Sequence, residues 1–588
     1  MRKILQNVVL PEYGEQASAE LYYRKNDISP PRYNDSGLAL RFGQQADFCT
    51  FYNVFSCKKW RSFAPISGAA FRLYGTGTVR CQIFGHTEHA LKIMLRDLEL
   101  DLGSEVEIPL EDDEISSLAA ISFRIVGCRE ESTLLGGAWS VEGAPKREVK
   151  LDIVITTFNR EDSIQKTIEA FRNVVLPGVP DRQVHLTVVD NGETITPSVE
   201  PGIEILHNRN LGGAGGFTRG LMESLKSDRN ATHVLFMDDD AACQRESILR
   251  TLAVLEYAED DRTAVAGAML IMSNPTVQFE KSARFYHDMS REKRTIKPIG
   301  SEIDLSYPEN VIRNDLGEDG NYGAWWYFAF PVSQVKHLPF PFFVRGDDID
   351  FSLSNDFNVV TLNGVASHCD DFSTKKNPIS EYLAQRSNMA LAFMHGEDDR
   401  IRRQLTRLYR RIVGFGNVFD FGMMRAAIWA LEDAIAGPEA FAHLPSPKER
   451  LQQLKRLSRG GELSKSDLQS LVPVPPKKGS LVSRLFQRPQ TNFSAVKDET
   501  KIGVIKTANN SHRFDTWAFQ RVVLNYEDVP CVFERDQATY IELETVVNEL
   551  IRTARKNRAE IRSAYLHRSG DFRTETYWQS VLGLETGD

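Results

Sequence analysis

Between Lys150 and Ala242 the sequence alternates apolar runs with amphipathic segments, and this alternation is the strongest constraint on the fold. The runs VKLDIVITTFNR, VHLTVVDNG and HVLFMDDD are rich in β-branched residues, as buried strands are. Between the first two lies EDSIQKTIEAFRN, in which apolar residues recur at helical spacing. Alternating strands and helices predict a largely parallel sheet with helices on its faces. Ligands of such sheets bind at the carboxyl ends of the strands, so functional residues are expected there.

The regions on either side differ in texture, and a chain of 588 residues is too long for one core. Residues 1–145 contain short segments rich in β-branched and aromatic residues, which predicts a β-sandwich. Its aromatic patch, FCTFYNVFSCKKWRSF, fits either a packed core or a carbohydrate-stacking face. Residues 146–385 hold the alternating pattern. Residues 386–588 are predicted to be mainly helical, with a Pro/Lys-rich linker, VPVPPKKGSLVSRLFQRPQ.

Charge and cysteine usage narrow the class of protein. A net charge of −9 argues against a general nucleic-acid-binding protein, which would carry a basic field. Seven scattered cysteines without a C-x-x-C pair fit a reducing cytosol. No apolar run reaches 18 residues, which predicts no membrane span. We therefore expect a cytoplasmic protein, with room for peripheral contact at the inner face of the plasma membrane.

Two basic stretches bear on that contact. They fit either an anionic membrane that carries a lipid-linked acceptor or a solvated face with salt bridges. The first is the predicted helix DRIRRQLTRLYRRIVGF, and the second lies in the linker. Their cationic residues are Arg400, Arg402, Arg403, Arg407, Arg410 and Arg411 in the helix, and Lys477, Lys478, Arg484 and Arg488 in the linker.

Three adjacent carboxylates, Asp238, Asp239 and Asp240, directly follow an apolar strand. Alternation along a strand puts Asp238 and Asp240 on one side and Asp239 on the other. Two carboxylates on one side form a hard oxygen site that suits Mn²⁺ or Mg²⁺ and leaves positions for substrate phosphates. A solvated acidic turn is the alternative. Since Asp239 points the other way, a contact to a donor sugar is the most that we expect of it.

Three further motifs end or follow neighbouring strands. TTFNR, Thr156–Arg160, ends one strand and opens a helix, so its backbone N–H groups and Arg160 suit a nucleotide. Asp190 and Asn191 end the next strand, where they suit a base edge. In NLGGAGGF, Asn210–Phe217, four glycines would let the backbone approach a diphosphate. This pattern matches neither the dinucleotide fingerprint nor the P-loop, which argues against a Rossmann dehydrogenase or a P-loop ATPase.

The stretch FFVRGDDIDFSL reads as a second apolar strand that ends in carboxylates, here Asp347, Asp348 and Asp350. One of them suits the role of general base toward a hydroxyl group. His368 follows the strand NVVTLNG and suits a third metal ligand, although a single histidine is also common as a structural residue.

Adjacent tryptophans occur in GAWWYFAFP. Trp325 and Trp326 point in different directions if the chain is extended there, so either one is core and the other stacks on a sugar ring, or both are core.

The order of these motifs resembles the inverting family-2 glycosyltransferases of the GT-A type. LQNVVLPEYGE, FYNVFSCKKWRSF, NLGGAGGF, FMDDDA, GAWWYFAFP and DDIDF are similar, over about residues 1–400, to the polymerising galactofuranosyltransferases of the actinobacterial cell-wall galactan. The resemblance implies metal-dependent transfer of galactofuranose from UDP-galactofuranose to a glycan or polyprenyl-linked glycan, with β-galactofuranosyl linkages formed by inversion. It further implies a role in polysaccharide biosynthesis.

The same resemblance implies a multidomain α/β chain, with an N-terminal β-sandwich, a central GT-A (Rossmann-like) domain and a C-terminal mainly helical region. It implies a homo-oligomer, a tetramer in particular. It also implies residue roles: metal ligands Asp238, Asp240 and His368; general base Asp348; acceptor contacts Asp347, Trp325 and Trp326; nucleotide or donor contacts Thr156, Phe158, Arg160, Asp190, Asn210 and Gly213.

Two other functions stay open at this point. Motifs that grip a diphosphate do not identify the sugar, so UDP-galactopyranose, UDP-N-acetylglucosamine and dTDP-rhamnose are rival donors. A non-catalytic sugar-binding or assembly protein, with the β-sandwich as its working part, is the rival from another class.

Overall fold

Three regions follow one another along the chain, as the sequence predicts. The computed structural model describes residues 2–11, 16–25, 32–34, 37–104, 106–129, 131–180, 183–226, 229–288, 296–369, 377–442, 448–457, 460–462, 502–505, 519–526 and 529–584. The predicted basic linker residues Lys477, Lys478, Arg484 and Arg488 lie outside these ranges.

The N-terminal region is a β-sandwich of two antiparallel sheets. One sheet has the strand order β3-β4-β11-β6-β9, with β1 also paired to β11, and the other has the order β2-β5-β10-β7-β8. The elements are β1 (Arg2–Asn7), β2 (Arg24–Lys25), β3 (Arg32–Asn34), β4 (Gly37–Leu40), β5 (Gln45–Asp47), α1 (Cys57–Arg61), β6 (Ala70–Thr76), β7 (Thr78–His86), β8 (Lys92–Asp101), β9 (Val106–Pro109), α2 (Asp112–Ser117), β10 (Ala120–Gly127) and β11 (Ser132–Glu142).

The aromatic patch of this region is core. Phe48, Phe51, Phe55 and Trp60 are each at most 1% exposed. Phe55 stacks on Trp139 of β11 with ring centroids 5.1 Å apart. A carbohydrate-stacking role for the patch is therefore wrong, because its rings are buried between the two sheets.

The central region is built on an eight-stranded sheet in the order β14-β15-β13-β12-β16-β24-β18-β25. A smaller sheet runs β17-β26-β19-β20-β23, beside the hairpin β21-β22. The elements are β12 (Leu151–Thr157), α3 (Glu161–Ala170), β13 (Val184–Asp190), β14 (Ser198–Glu200), β15 (Ile203–His207), α4 (Gly212–Ser224), β16 (His233–Asp238), β17 (Ala242–Cys243), α5 (Arg245–Tyr257), β18 (Thr263–Ala266), β19 (Ala268–Ile271), β20 (Asn274–Glu280), β21 (Ser282–Phe285), β22 (Ile296–Ile299), β23 (Ile303–Asp304), α6 (Pro308–Leu316), β24 (Phe328–Pro331), α7 (Asp347–Asn355), β25 (Asn358–Val360) and β26 (Ala366–Cys369).

The central sheet is parallel only in part. Strands β15, β13, β12 and β16 pair in parallel, as the alternating pattern predicts. Strand β24 then pairs antiparallel with both β16 and β18, so the sheet is mixed. The parallel half brings the carboxyl ends of β12, β13 and β16 to one edge, where the predicted motifs lie.

The C-terminal region is mainly helical and includes a small four-stranded sheet in the order β27-β30-β29-β28, which the sequence analysis did not predict. The elements are α8 (Pro378–His395), α9 (Asp398–Asn417), α10 (Phe421–Ile435), α11 (Glu439–Ala442), α12 (Lys448–Lys455), β27 (Gly461–Glu462), β28 (Ile502–Ile505), β29 (Arg521–Tyr526), β30 (Val529–Glu534), α13 (Gln537–Arg568) and α14 (Glu575–Leu582).

The helices of this region pack on the central region. Phe340, Phe342 and Ile349 share a hydrophobic cluster with α8, α9, α10 and α13. Among the residues that the structure describes, no helix is both long and apolar enough to cross a membrane.

Candidate active site

Asp238 is the last residue of β16 and lies opposite Thr156 of β12 at the carboxyl edge of the sheet. The four residues before it, Val234–Met237, are fully buried. Burial, followed by the charges of Asp240, Asp239 and Asp348, raises the pKa of Asp238 to about 7. Negative charge at this edge is therefore only partly compensated by protein groups, which is the condition that a bound cation relieves.

Asp239 and Asp240 converge on one arginine. Arg160 Nη1 lies 2.9 Å from Asp239 Oδ1 and 2.6 Å from Asp240 Oδ2, and the Thr157 hydroxyl donates to Asp239 Oδ2 at 2.7 Å. Asp239 is buried, with both oxygens engaged. The side chain of Asp239 therefore connects the end of β16 to β12 and Arg160, and its contact with a donor sugar stays a prediction.

The TTFNR segment forms the other wall of the cleft. It follows β12 and precedes α3, as predicted. Phe158 is half exposed, and Asn159 has a φ of +53° that turns the chain sharply. The Thr156 hydroxyl is buried and faces Gly216 of α4. Phe158 is thus the apolar side chain that this segment offers to a ligand.

Asp190 does not face the cleft. It is fully buried, and its carboxylate accepts hydrogen bonds from the backbone N–H groups of Gly192, Thr194 and Ile195 at 2.7–2.8 Å. The side chain of Asp190 therefore shapes the loop after β13, and its contact with a nucleotide stays a prediction.

The glycine-rich stretch is mostly inside α4 rather than in a turn. A Cβ at Gly216 would collide with the Thr156 hydroxyl, and one at Gly220 would lie 2.2 Å from Val154 of β12. These glycines let α4 pack closely on the sheet, so the expectation that they serve a diphosphate is wrong for them. Gly213 differs, because a Cβ there would stand 3.4 Å from Asp347 Oδ2.

Asn210 lies just before this helix. Its side-chain oxygen accepts a hydrogen bond from the N–H of Gly212 at 3.1 Å, and the residue stays partly exposed. Asn210 and Gly213 therefore flank the start of α4 on the side of the acidic residues.

The second acidic group begins a helix and does not end a strand. Asp347 and Asp348 open α7, after an irregular segment that contains Pro339 and Pro341. The prediction of a strand here is wrong, because proline provides no ladder donor. The turn into the helix uses positive φ at Phe343, Arg345 and Gly346, of +76°, +69° and +86°.

Burial raises the pKa of both carboxylates of this pair. Burial and the charge of Asp348 raise the pKa of Asp347 well above its ordinary value. Burial raises the pKa of Asp348 to about 6, although the N–H groups at the helix start and Arg345 oppose the rise. A carboxylate with a pKa near 6 is ionised at neutral pH and still basic enough to take a proton.

The two tryptophans have different environments. Trp325 is 5% exposed and packs edge-on against Phe217 and Phe236, at 4.9 and 5.0 Å between ring centroids. The ring of Trp325 is therefore core in this structure, and its acceptor contact stays a prediction. Trp326 is half-buried, and its indole N–H donates to the Gly267 carbonyl at 3.0 Å. The Trp326 ring stands edge-on to Phe279 at 6.4 Å between centroids, and its contact with an acceptor stays a prediction.

Glu280, at the end of β20, belongs to the acidic group and was missed in the sequence. Burial and the charge of Asp348 raise its pKa to about 7. Burial, followed by the charges of Asp348 and Glu280, raises the pKa of Tyr322. The stretch NPTVQFEKSARF carries no motif, so only the fold reveals that Glu280 and Asp348 share a site.

Replacing Glu280 with Gln should change how stability depends on pH. The folded pKa lies above the ordinary value of 4.5, so Glu280 favours folding below pH 4.5 and costs stability as pH rises toward 7. Without added metal, Glu280→Gln should raise the free energy of unfolding at pH 8 by on the order of 2 kcal/mol and have little effect at pH 4.5. Urea unfolding at both pH values measures this, with exposed Glu302→Gln as control. An equal effect at both pH values would contradict the assignment.

His368 lies on β26, paired with Ala242 just after the three aspartates. Within the described ranges, no three His, Cys, Asp or Glu side chains are gathered at metal-binding distance. Asp240 is turned to Arg160 instead. The side chains of Asp238, Asp240 and His368 nevertheless fit a hard cation. Asp238 carries uncompensated charge, and carboxylate oxygens together with an imidazole nitrogen suit Mn²⁺.

These features, an acidic strand end and an acidic helix start facing one cleft, agree with a comparison of the sequence with family models. Residues 152–313 match the family described as glycosyl transferase family 2. The match covers the strands and helices that carry the three aspartates of β16 and the TTFNR segment. The predicted enzyme class, a glycosyltransferase, and the predicted fold class are thereby confirmed.

Relatives extend the likeness beyond this domain. The chain is 23% identical over 494 residues to galactofuranosyltransferase GlfT2 of Mycobacterium tuberculosis, which covers 77% of this chain and 76% of that protein. It is 24% identical to galactofuranosyltransferase GlfT2 of Mycolicibacterium smegmatis, and the alignment covers 77% of this chain and 74% of that protein. These matches confirm the resemblance that the motifs indicate.

Solved structures give more distant likenesses. The mannosyltransferase PcManGT from Pyrobaculum calidifontis, in complex with GDP-Man and Mn²⁺, has a TM-score of 0.28 and 14% identity, covering 53% of this chain and 83% of that one. Glucosyl-3-phosphoglycerate synthase from Mycobacterium tuberculosis, with Mn²⁺ and UDP-glucose, has a TM-score of 0.26 and 14% identity, covering 42% and 78%. Likenesses this distant say nothing about the ligands of this chain.

Proposed function

We propose that the chain transfers galactofuranose from UDP-galactofuranose to a glycan or lipid-linked glycan, and forms a β-galactofuranosyl linkage with inversion. One observation carries the proposal: Asp238 and Asp348 lie close enough for the charge of Asp348 to raise the pKa of Asp238. This closeness supports a cation-type site and a base-type carboxylate that act together on one substrate. The two relatives named galactofuranosyltransferase support the choice of sugar.

Asp238, Asp240 and His368 would hold Mn²⁺ or Mg²⁺, with Arg160 released from Asp240 in exchange. A cation bound there would neutralise charge on the diphosphate of the leaving UDP. Phe158 and the segments around Thr156, Asn210 and Gly213 would hold the nucleotide, while Asp190 and Asp239 keep their loops in place.

Asp348 would accept the proton of the acceptor hydroxyl while the hydroxyl oxygen attacks the anomeric carbon from the face opposite to UDP. The bond from the anomeric carbon to the diphosphate oxygen breaks in the same step, so configuration inverts without a covalent glycosyl-enzyme. Asp347, Glu280 and Trp326 would border the acceptor, and the effect of the Asp348 charge on the pKa of Glu280 and Asp347 supports this for those two residues.

Incubation of the protein and Mn²⁺ with UDP-galactofuranose and short β-galactofuranosyl acceptors tests the proposal. We expect release of UDP and acceptors extended by one or more hexoses, with linkage analysis showing β-galactofuranose. UDP-galactopyranose, UDP-N-acetylglucosamine and dTDP-rhamnose serve as rival donors. Turnover of one of these in place of UDP-galactofuranose would overturn the sugar assignment and leave the glycosyltransferase class intact.

We further propose peripheral contact with an anionic bilayer, and a homo-oligomer whose size light scattering would measure. The predicted basic helix contributes less to that contact than its sequence indicates. Arg400 is buried over the Phe285 ring, and Arg411 pairs with Glu381. Exposed basic residues on α9 include Arg402, Arg403 and Arg410.

We expect about half of the protein to float with vesicles that contain 30% anionic lipid at low salt, and little to float at 0.5 M salt, because exposed charges are screened. Charge reversal of the three exposed arginines of α9 should abolish flotation. Flotation of that variant at the wild-type level would contradict the proposal.

A further inference from the structure

Asp350 connects the helix that carries Asp347 and Asp348 to the C-terminal end of the chain. It is the fourth residue of α7 and is fully buried. Its Oδ1 accepts hydrogen bonds from His395 Nε2 at 2.7 Å and from Arg573 Nη2 at 2.5 Å. The side chains of His395 and Arg573 are only 14% and 10% exposed. The carboxylate is thus held inside the protein by two cationic or potentially cationic groups.

The C-terminal segment Ser569–Leu582 comprises a 3₁₀ turn and α14. It makes further hydrogen bonds to the chain near α7. The carbonyl of Arg573 accepts a hydrogen bond from the N–H of Leu338 at 3.1 Å, and the buried Trp578 donates its indole N–H to Pro339 at 2.9 Å. These contacts reach the irregular segment that leads into α7. The C-terminal segment therefore touches the catalytic helix both directly and through the chain before it.

The other end of α7 is fixed to this irregular segment as well. Asn355, the last residue of the helix, accepts hydrogen bonds from the N–H groups of Lys336 and His337 at 2.7 and 2.9 Å. It also donates to the His337 carbonyl at 3.0 Å. Asn355 fixes one end of α7, and Asp350 fixes its middle. The orientation of α7 therefore depends on the ion pair between Asp350 and Arg573.

We propose that Arg573 is a positioning residue, which acts through Asp350 to hold α7 at the angle that presents Asp348 to the acceptor. The C-terminal segment Ser569–Leu582 is then part of the framework of the active site. This inference rests on the proposed function, because the role of Asp348 is defined there.

The charge of Arg573 matters because Asp350 has little other compensation. Arg573 first, and then His395, hold the pKa of Asp350 below its ordinary value against the opposing effect of burial. The titratable or charged groups that face Asp350 are Arg573, His395 and His337. Without Arg573, burial would raise the pKa of Asp350, so the uncompensated charge of this carboxylate would develop as pH rises.

Arg573→Gln tests the proposal through its pH profile. We expect kcat to fall about tenfold at pH 6 and about 100-fold at pH 8.5, because an uncompensated buried charge is costly. The dissociation constant of UDP should stay within about threefold of wild type, since the change acts on the base and not on the nucleotide. Arg573→Lys, which keeps the charge, should recover most of kcat. Arg568→Gln removes an ion pair with Glu439 that is mostly exposed on the arginine side and serves as the matched control.

A double variant isolates the charge. In Asp350→Asn with Arg573→Met both charges are absent, so the ratio of its kcat to that of wild type should not change between pH 6 and 8.5. Hydrogen exchange of the α7 amides gives a second readout that needs no substrate, and it should be faster in Arg573→Gln than in Arg568→Gln. Should Arg573→Gln not fold, His395→Gln keeps the arginine and should show the faster α7 exchange and a lower kcat.

A pH-independent loss of kcat in Arg573→Gln, or α7 exchange at the control rate, would overturn the positioning role. The kcat ratios are measured with whichever nucleotide sugar the wild-type protein turns over. Failure of UDP-galactofuranose as donor would therefore count against the proposed function alone, whereas a flat ratio with an accepted donor would count against Arg573.

Discussion

Asp348→Asn should lower kcat roughly 1,000-fold while leaving UDP affinity within about threefold of wild type, because general-base catalysis contributes roughly 10²–10⁴-fold. Asparagine has nearly the same shape but cannot accept the proton of the attacking hydroxyl. The change also removes repulsion within the cleft, since the charge of Asp348 raises the pKa of Asp238, Glu280 and Asp347. The folded protein should therefore be no less stable than wild type at pH 8.

The pH profile of the wild type completes this prediction. Burial raises the pKa of Asp348 to about 6, so the base is protonated below that value and ionised above it. We expect kcat/KM to increase with pH through about 6 and then level off, with an apparent midpoint that belongs to the Asp347–Asp348 pair jointly.

Steady-state release of UDP and calorimetric titration with UDP provide the two measurements. Asp356→Asn is the matched control, because Asp356 directly follows α7 and makes an exposed ion pair with Arg262. Turnover of Asp348→Asn within tenfold of wild type would exclude Asp348 as the base.

The sequence predicts the position of a residue well where that position depends on neighbouring residues along the chain. The apolar run before Asp238 requires a buried strand, and charge directly after it requires a strand end at the sheet edge. The same reasoning correctly places Arg160 and Thr156 at the end of β12. Local pattern suffices in these places because one strand fixes both the burial and the direction of its final residues.

Local pattern is insufficient where tertiary contacts decide the role. Asp350 looks like a member of the acidic pair, yet its partners His395 and Arg573 are 45 and 223 residues away. The glycines of α4 look like a phosphate loop, yet Gly220 serves contact with Val154. Glu280 carries no signal at all, because its closeness to Asp348 arises only when the smaller sheet packs beside α7.

The same limit explains the tryptophan pair. Alternation indicates that the two rings point in different directions, but it does not say which of them is core. Trp325 is core because Phe217 of α4 and Phe236 of β16 provide an aromatic pocket on its side. Both pocket residues come from elements more than 80 residues earlier in the chain, so no local rule contains this information.

Asp238→Asn should have opposite effects on metal-dependent binding and on the stability of the metal-free protein. Mn²⁺ should tighten UDP binding to wild type, and this tightening should fall by at least about 30-fold in the variant, since loss of even outer-shell partners costs roughly 10–100-fold. Asp240→Asn should lose the same tightening. Calorimetric titration with UDP, with and without Mn²⁺, measures both effects, and exposed Asp261→Asn is the control.

Stability of the metal-free protein should move the other way. The folded pKa of Asp238, about 7, lies above the ordinary value of 3.8, so the residue costs stability as pH rises from about 4 to 7. Removing its charge should raise the free energy of unfolding at pH 8 by on the order of 2 kcal/mol without added metal, an effect that should be absent at pH 4. Mn²⁺ should then stabilise wild type more than the variant, by mass action. A variant that loses stability at pH 8 without metal, or that keeps Mn²⁺-dependent UDP binding, would show that Asp238 serves the fold and not a cation.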